Sequence, residues 1–500
     1  MLYSKTNIEK YPNYKMKIKN NFTKATGNRL KKSIASGMET CKTIVLCSLL
    51  FFWGCKAQQM DTSQLQILKI SENQRYFSTQ DNQPFFWLGD TAWLLFSKLS
   101  REEAVKYMDD RAEKGFNVIQ VMVLHELKAK NFYGASALLN QNVSQPYLME
   151  GKNPSNQNEY DYWDHVDYIV KLAKEKGMYM AMVPVWGTNV KAGDVSLEDA
   201  TKYADWLAKR YHQNHIIWLN GGDTKGNEHT ALWKSMGETL NQNENQLITF
   251  HPFGRKKSST WFHQEEWLDF NMFQSGYRRY DQEEEVTAHG QDNYKYVQED
   301  YVLKPIKPTL DGEPSYESIP QGLHDPSEPY WTADDVRRYA YWSVFSGGSG
   351  FTYGHNAVMQ MHKPKDENPA FGAREYWNEV LDSEGVNQMK HLKKLMLSVS
   401  YYDRVPDQSL VLNNVGEAYE YILATRGSNY AFVYTYTGKP MEIQLGEIAG
   451  EKIQAFWFNP KTGEEQTIGT YKNTGSYIFT PENSDDEIND WVLLLKSVAS

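Results

Sequence analysis

Eight short apolar runs, separated by longer amphipathic stretches, constrain the fold of this chain more than any other feature of its sequence. Each run ends in glycine or polar residues, and most are followed by a pattern typical of an amphipathic helix. The alternation indicates repeated βα units. The runs occupy residues 85–90, 116–124, 178–185, 215–220, 247–250, 268–273, 308–311 and 349–353.

The segments between these runs carry helix-boundary signals. Ser100 is a typical N-cap residue followed by acidic residues, while Lys114 and Gly115 supply a basic last turn and a C-terminal glycine. Further helices are predicted over residues 197–211, from 230 to about 241, and over 333–345.

Residues 65–400 are therefore predicted to form a (β/α)₈ barrel with insertions, and a doubly wound open sheet is the alternative. The open sheet favours a glycine-rich phosphate loop after its first strand, whereas this chain has Gly-Asp-Thr at 89–91. Two long connections, about 126–160 and 278–293, are expected to lie over the mouth of the barrel.

The pattern changes near residue 405, where short alternating runs recur about every 8–12 residues. This spacing predicts a small C-terminal β-sandwich over 405–498, with a turn at 459–463. The predicted strands are 409–412, 419–424, 430–436, 441–445, 453–458, 476–479 and 491–495.

Residues 1–55 are predicted to be an N-terminal extension and export signal. A basic segment precedes an apolar run over 43–53, which is too short to cross a bilayer as a helix. Cys55 follows in a pattern that resembles a lipoprotein signal, and a plain secretory peptide cut near Ala57 is the alternative. We expect a periplasmic protein or an outer-membrane lipoprotein of a Gram-negative bacterium, touching the membrane only through Cys55. The candidate start residues are Met1, Met16 and Met38.

Charge and cysteine positions exclude several kinds of chemistry. The 53 Lys and Arg against 63 Asp and Glu give a formal charge of -10, which repels phosphate backbones, so no nucleic acid partner is expected. All three cysteines lie in the first 55 residues, so the rest of the chain has no cysteine nucleophile or thiolate zinc site. The histidines lack His-Glu-x-x-His spacing, and Gly-Gly-Ser-Gly at 347–350 is not a serine-hydrolase elbow. We predict no metal and no cofactor.

Reactive side chains of a barrel stand at the carboxyl ends of its strands. In this chain those positions carry carboxylates, amides and aromatic rings, which suit a sugar because rings lie against C–H surfaces and polar groups bind hydroxyls. The expected partner is an oligosaccharide or polysaccharide. The predicted substrate-binding residues are Asp90, Trp93, Glu126, Trp186, Asn220, His251, Gln274, Tyr353 and His355.

Asp223, after the fourth run, and Glu313, after the seventh, are the predicted catalytic pair. Hydrolysis of a glycosidic bond without a metal requires one protonated and one ionised carboxyl group, roughly 5–5.5 Å apart in a retaining enzyme. Strands four and seven of a barrel face each other across its mouth. Alternatively, Asp223 caps a helix and Glu313 lies in a solvated turn.

The other candidates also have structural interpretations. Asp90 and Glu126 could each fix a loop, and Trp93 and Trp186 could belong to the core. His251, which precedes a proline, could orient a loop.

Four stretches of the chain resemble the apiosidase-like catalytic domain, glycoside hydrolase family 140: residues 86–93, 115–120, 218–223 and 310–317. Residues 456–463 resemble the small β-sandwich that follows that domain and carries a collagen-binding label. The resemblance covers about 65–498. It implies a barrel that releases apiose from rhamnogalacturonan II side chains of plant pectin by a retaining mechanism, with Asp223 as acid/base and Glu313 as nucleophile.

Two other functions remain compatible with the sequence. One is a barrel glycosidase that cleaves a different hemicellulose or pectin linkage. The other is a non-catalytic surface lipoprotein that binds glycans in the same aromatic cleft and releases no reducing sugar.

Overall fold

A computed structural model describes residues 65–242, 245–413, 415–482 and 488–498. These residues belong to one compact unit. The predicted export signal and Cys55 lie outside the described residues. Over the described ranges, no helix is both long and apolar enough to cross a membrane.

The first and larger part is a barrel of parallel strands. Its eight strands are β1 (Trp87–Thr91), β2 (Val118–Leu124), β3 (Tyr179–Val185), β4 (Ile216–Thr224), β5 (Ile248–Pro252), β6 (Asn271–Gln274), β7 (Thr309–Asp311) and β8 (Gly350–Tyr353). Each coincides with one of the predicted apolar runs.

The strands pair in parallel in the order β5-β4-β3-β2-β1-β8-β7-β6. Three hydrogen bonds between β5 and the residues just before β6 nearly close the ring. Asp269 N donates to Ile248 O at 2.9 Å, Ile248 N donates to the Asp269 carboxylate at 2.7 Å, and Thr249 Oγ1 donates to Phe270 O at 2.5 Å. A short strand, Lys256–Lys257, pairs antiparallel with β6. The predicted (β/α)₈ barrel is confirmed, and the open-sheet alternative is wrong.

A helix follows each strand. The eight helices are α1 (Arg101–Glu113), α2 (Tyr162–Glu175), α3 (Leu197–Tyr211), α4 (Thr230–Leu240), α5 (Ser259–Phe262), α6 (Asn293–Tyr301), α7 (Ala333–Phe345) and α8 (Glu384–Leu397). Shorter helical turns lie in the loops at Leu95–Lys98, Gly187–Lys191, Tyr280–Gln282, Asn356–Met359, Ala370–Gly372, Gln408–Leu410 and Ala418–Glu420.

The start of α1 shows how local sequence sets these boundaries. The Ser100 hydroxyl accepts a hydrogen bond from Glu103 N, and the Glu103 carboxylate accepts one from Ser100 N. This capping box satisfies two backbone donors that the first helical turn leaves unpaired. Gly115, at φ 83°, lies just past the other end, where a left-handed residue ends the helix.

Side chains along each barrel strand alternate between the interior and the helices. On β2, Val118 and Met122 pack in the interior cluster, whereas Ile119 and Val121 pack among the helices. Gln120, on the interior side, donates from Nε2 to the carbonyl of Gly312 at 2.8 Å. Because both faces are buried, the strands read as continuous apolar runs.

A small antiparallel sheet precedes β1. Its strands are Leu68–Ile70, Phe77–Thr79 and Pro84–Phe85. The ring of Phe77 lies 5.0 Å from that of Phe270 and 5.7 Å from that of Trp87, so it covers the amino-terminal end of the barrel interior.

The C-terminal part is a β-sandwich, as predicted. A six-stranded sheet contains Val405–Pro406, Leu423–Arg426, Tyr430–Thr435, Trp491–Ser497, Lys452–Phe458 and Glu465–Lys472, in that spatial order. The second sheet contains Val411–Asn413, Met441–Leu445 and Gly475–Phe479.

The sandwich differs from the predicted strands in several details. The short strand Val405–Pro406 was not predicted, and the predicted strand at 409–412 begins as the 3₁₀ turn Gln408–Leu410. Glu465–Lys472 is a strand that the sequence analysis missed, because its residues are exposed or only half-buried and show no apolar alternation. The predicted strand at 419–424 begins instead as a 3₁₀ turn, Ala418–Glu420, and its pairing starts at Leu423.

The barrel and the sandwich pack through α7. Arg337 of α7 donates from Nε to Asp490 at 2.6 Å, and both side chains are fully buried. The ring of Tyr341 stacks on that of Tyr434 at 4.9 Å.

Candidate active site

The carboxyl ends of the barrel strands surround a cavity of about 540 Å³. Five of the eleven predicted site residues line it, and they come from five different strands or the loops after them. These are Trp93, Trp186, Asp223, Gln274 and Glu313. His251 lies immediately behind Glu313.

Asp223 reaches the cavity because β4 contains a bulge. The register of β4 against β5 shifts between Gly221 and Thr224, and three consecutive residues have positive φ: Gly221 at 93°, Gly222 at 100° and Asp223 at 51°. A bulge redirects a side chain at the end of a strand, and glycine adopts these angles without a steric cost. A Cβ atom on Gly222 would lie 2.6 Å from the ring of Trp186, so a glycine is required there.

The surroundings of Asp223 favour its protonated form. Burial, and next the negative charge of Glu313, raise the pKa of this carboxyl group to about 6. His251 and Lys191 oppose that shift. The Lys191 ammonium group donates to the Asp223 carbonyl at 2.6 Å, which also holds the bulge in place.

Glu313 is buried, with 7% of its surface exposed, and its two oxygens have different neighbours. The Tyr277 hydroxyl donates to Oε1 at 2.7 Å, and Nε2 of His251 lies 3.0 Å from Oε2. Burial and the nearby Glu313 charge raise the pKa of Tyr277 well above its usual value, so its hydroxyl stays a donor.

His251 connects the two carboxyl residues. Its Nδ1 accepts a long hydrogen bond of 3.5 Å from the backbone N–H of Asp223. The other ring nitrogen, Nε2, faces Glu313. Trp93 and Trp186 flank this imidazole at 5.4 and 5.6 Å.

The two tryptophans form one aromatic wall. Their rings lie 5.3 Å apart at an angle of 54°, and Trp93 is 4% exposed. Met122, Phe253 and Phe371 add apolar surface to the same cavity. Such a wall with a few polar groups suits the C–H faces of a sugar ring.

Three residues predicted to contact the substrate do not line the cavity. Strand alternation turns their side chains toward the helices. Asp90 on β1 is fully buried and accepts from Tyr107 at 2.6 Å and from Arg111 at 2.5 Å. Asn220 on β4 donates to the Trp233 carbonyl at 2.7 Å. Tyr353 on β8 donates to Glu317 at 2.5 Å.

Two more predicted contacts lie outside the cavity. The Glu126 side chain is 41% exposed and lies 3.5 Å from Lys128, so it belongs to the surface, while its neighbour His125 lines the cavity. His355 is buried, and its Nδ1 accepts from Ala357 N at 3.1 Å as the cap of a short helix. Burial lowers the pKa of His355 to about 3, so it is neutral.

The sequence analysis missed Tyr277, Tyr316 and Arg278, which all line the cavity. Tyr277 and Arg278 lie three and four residues past the end of β6, beyond the positions at strand ends that were considered. Tyr316 lies three residues after Glu313, and no role was assigned to it.

Across the residues that the structure describes, no cluster of three or more His, Cys, Asp or Glu side chains could hold a metal ion.

Comparison with known proteins agrees with this geometry. Residues 71–403 match the family of apiosidase-like catalytic domains, and residues 405–496 match a family named for a collagen-binding domain of a collagenase. No protein of curated function matches the chain.

Two solved structures are similar over most of the chain. One is described as a glycoside hydrolase; it is 42% identical, the match covers 87% of this chain and 97% of that chain, and the TM-score is 0.80. The other is a glycoside hydrolase family 5 protein from Bacteroides vulgatus, 41% identical, with coverage of 87% and 93% and a TM-score of 0.80.

The barrel, its carboxylate-lined cavity and these relatives define a glycoside hydrolase. Within that class, the chain belongs to the apiosidase-like family, whose catalytic domain spans two thirds of its length, and a carbohydrate is its substrate.

Proposed function

We propose that this enzyme is a retaining glycosidase of plant cell-wall polysaccharide, with Glu313 as nucleophile and Asp223 as acid/base. One observation carries the proposal: Asp223 and Glu313 line the same cavity, and the charge of Glu313 helps to raise the Asp223 pKa to about 6. A retaining mechanism needs such a pair, one group protonated and the other ionised.

In the first step the Glu313 carboxylate attacks the anomeric carbon, and Asp223 gives its proton to the leaving oxygen. The glycosidic bond breaks, and a glycosyl ester forms on Glu313. The Tyr277 hydroxyl at Oε1 orients the attacking carboxylate, and Nε2 of His251 faces the other oxygen.

In the second step Asp223, now ionised, takes a proton from a water molecule that attacks the anomeric carbon. The ester bond breaks, and Glu313 leaves as a carboxylate. Because each of the two substitutions inverts the configuration at the anomeric carbon, the released sugar keeps the configuration of the substrate.

We infer that the sugar is apiose and that the substrate is a rhamnogalacturonan II side chain of pectin. The match of residues 71–403 to the apiosidase-like family supports this inference, as does the aromatic wall of Trp93 and Trp186. The enzyme should be incubated with a panel of pectic and hemicellulosic oligosaccharides, and the released sugar identified.

Release of apiose with retained configuration, seen by NMR of the first-formed sugar, is the expected result. A different released sugar would change the substrate, and inverted configuration would remove Glu313 as nucleophile. Saccharide binding without any release would favour the non-catalytic glycan-binding protein.

We also propose that Cys55 is acylated and anchors the enzyme to a membrane. The Gly-Cys pair directly after a short apolar run supports this. Expression in a Gram-negative host should give a membrane-associated protein whose amino-terminal peptide carries a lipid by mass spectrometry. The variant Cys55→Ala should be released into the soluble fraction, and an unmodified wild-type peptide would contradict the proposal.

A further inference from the structure

Phe371 has a backbone conformation that a large side chain rarely adopts. The residue lies in the long connection between β8 and α8, and its φ of 52° and ψ of 38° fall in the left-handed region. In that region the Cβ atom comes too close to the following carbonyl oxygen, so a phenylalanine is strained there. Strained residues persist only where their surroundings hold them, and they cluster at ligand sites.

Two buried amide side chains hold the backbone at this point. Gln360 accepts at Oε1 from Ala370 N at 2.7 Å and donates from Nε2 to Ala370 O at 3.0 Å. Asn356 donates from Nδ2 to Phe371 O at 2.8 Å, and its own Oδ1 accepts from Gln360 Nε2 at 2.9 Å. Both amides are buried. The surroundings of Phe371 therefore maintain its left-handed conformation.

With its backbone held in this way, Phe371 lines the catalytic cavity. It borders the same cavity as Asp223 and Glu313, and it is only half-buried. The ring packs partly against the interior cluster, and the ring of His324, from the loop after β7, lies 5.9 Å away. Because β8 pairs with β7, the connection that carries Phe371 is next to the loop that carries Glu313.

The backbone alone does not explain why a phenylalanine occupies this position. Glycine adopts a positive φ without a steric cost, and the chain does use glycine at the next residue, Gly372, whose φ is 61°. A glycine at 371 would make the same turn without strain. The side chain itself is therefore the feature that the strain maintains, and a flat apolar ring at a carbohydrate-binding cavity matches the C–H face of a sugar.

We propose that Phe371 is a substrate-contacting residue whose ring packs against the C–H face of a sugar in the cavity. This inference rests on the proposed function and extends it, because it adds an aromatic contact from the connection after β8 to the residues that bind substrate. Asn356 and Gln360 are positioning residues, since they act through the backbone of Phe371.

Phe371→Leu tests the proposal, and Phe132→Leu is the matched control. Leucine keeps the apolar bulk and the left-handed strain of Phe371 but has no flat face. Phe132 is also an aromatic residue in a loop at this end of the barrel; it is 48% exposed and does not line the cavity. KM, kcat and the thermal unfolding temperature are measured for both variants.

Only Phe371→Leu should raise KM, by about 5- to 10-fold, with kcat nearly unchanged. A contact made equally in the ground state and the transition state affects KM and not kcat, whereas a general loss of folded protein would lower the apparent kcat. Wild-type KM in Phe371→Leu would overturn the proposal, and so would an equal rise of KM in Phe132→Leu.

Phe371→Gly and Phe371→Ala test the role of the backbone. Both variants lack the ring, so both should show the raised KM. Phe371→Gly should unfold at a higher temperature than Phe371→Ala, because only glycine adopts this φ without strain. Wild-type KM in the glycine variant would overturn the contact with substrate, and a glycine variant no more stable than the alanine variant would overturn the strain.

A binding measurement separates this proposal from the proposed function. Calorimetry uses the saccharide of the panel that the wild-type enzyme cleaves, so the result does not depend on which sugar is released. Glu313→Gln should bind it without cleavage, and Glu313→Gln with Phe371→Leu should bind it about 5- to 10-fold more weakly. Equal affinity would overturn the role of Phe371. Continued cleavage by Glu313→Gln would overturn the proposed nucleophile, and the KM comparison would still decide the role of Phe371.

Discussion

The Tyr277 hydroxyl donates a 2.7 Å hydrogen bond to Oε1 of Glu313, and this contact joins the loop after β6 to the end of β7. It presents the carboxylate to the cavity in one orientation. The remaining oxygen, Oε2, lies 3.0 Å from His251 Nε2.

Removing this donor should slow catalysis without unfolding the protein. Tyr277→Phe keeps the ring and its packing, and a hydrogen bond to a charged group contributes about 1.5–3 kcal/mol, so kcat/KM should fall about 10- to 100-fold. Steady-state kinetics on the cleaved substrate measures the loss. A variant with wild-type kcat/KM would show that the contact does not assist Glu313.

Replacing the nucleophile should nearly abolish turnover. Glu313→Gln keeps the size of the side chain but cannot form the glycosyl ester, so kcat should fall by about 10⁴-fold or more. Circular dichroism and thermal unfolding should show a folded protein. Retained hydrolysis by a folded Glu313→Gln would eliminate the assignment.

The loss of kcat/KM at alkaline pH should reflect the deprotonation of Asp223. The free enzyme needs this group protonated to give a proton to the leaving oxygen, so kcat/KM should decline as the pH rises through about 6. Measurement of kcat/KM from pH 4 to 9, with buffers at constant ionic strength, tests this. Asp223→Asn should lose both the activity and this decline.

Asp223 should also make stability depend on pH. Its pKa is about 6 in the folded state against 3.8 as the ordinary value, so the folded state binds the proton more tightly. Its contribution is fully present below about pH 3.8 and is lost as the pH rises through about 6. Urea unfolding should show Asp223→Asn gaining stability over wild type above pH 6, and an unchanged difference across that range would contradict the shift.

Asp90 should contribute to the stability of the fold and not to substrate binding. Its carboxylate lies 2.5 Å from Nε of Arg111, with both side chains fully buried. Asp90→Ala removes this partner and leaves the guanidinium only its ion pair with Asp110, so it should cost about 3 kcal/mol of unfolding free energy, the lower end of the range for a broken buried pair. The KM of the protein that remains folded should be unchanged. A raised KM with an unchanged free energy of unfolding would instead show that Asp90 contributes to substrate binding.

Strand alternation separates the predicted site residues that face the cavity from those that face the helices. Asp90, Asn220 and Tyr353 were placed at strand ends, but each lies within its strand on the side that faces the helices. His251 and Gln274 have interior neighbours two residues earlier and do face the site. Counting in twos from a known interior residue would have distinguished them.

The architecture of this protein was predictable from its sequence: eight βα units, the sandwich after residue 405, and the family of the barrel. The βα units and the sandwich follow from local periodicity, which every short window of the chain contains, whereas the family follows from the resemblance of four short stretches to the apiosidase-like domain. Topology also predicts which strand ends face each other, and the proposed carboxyl pair was chosen on that basis.

How those residues are used depends on contacts that form in three dimensions. The bulge at Gly221 and Gly222 directs Asp223 inward, and Tyr277 meets Glu313 from the loop after another strand. Each depends on atoms far apart along the chain that come together only when the barrel closes. Distance and burial set the pKa and the pairing of such groups, and neither quantity is encoded in a local pattern.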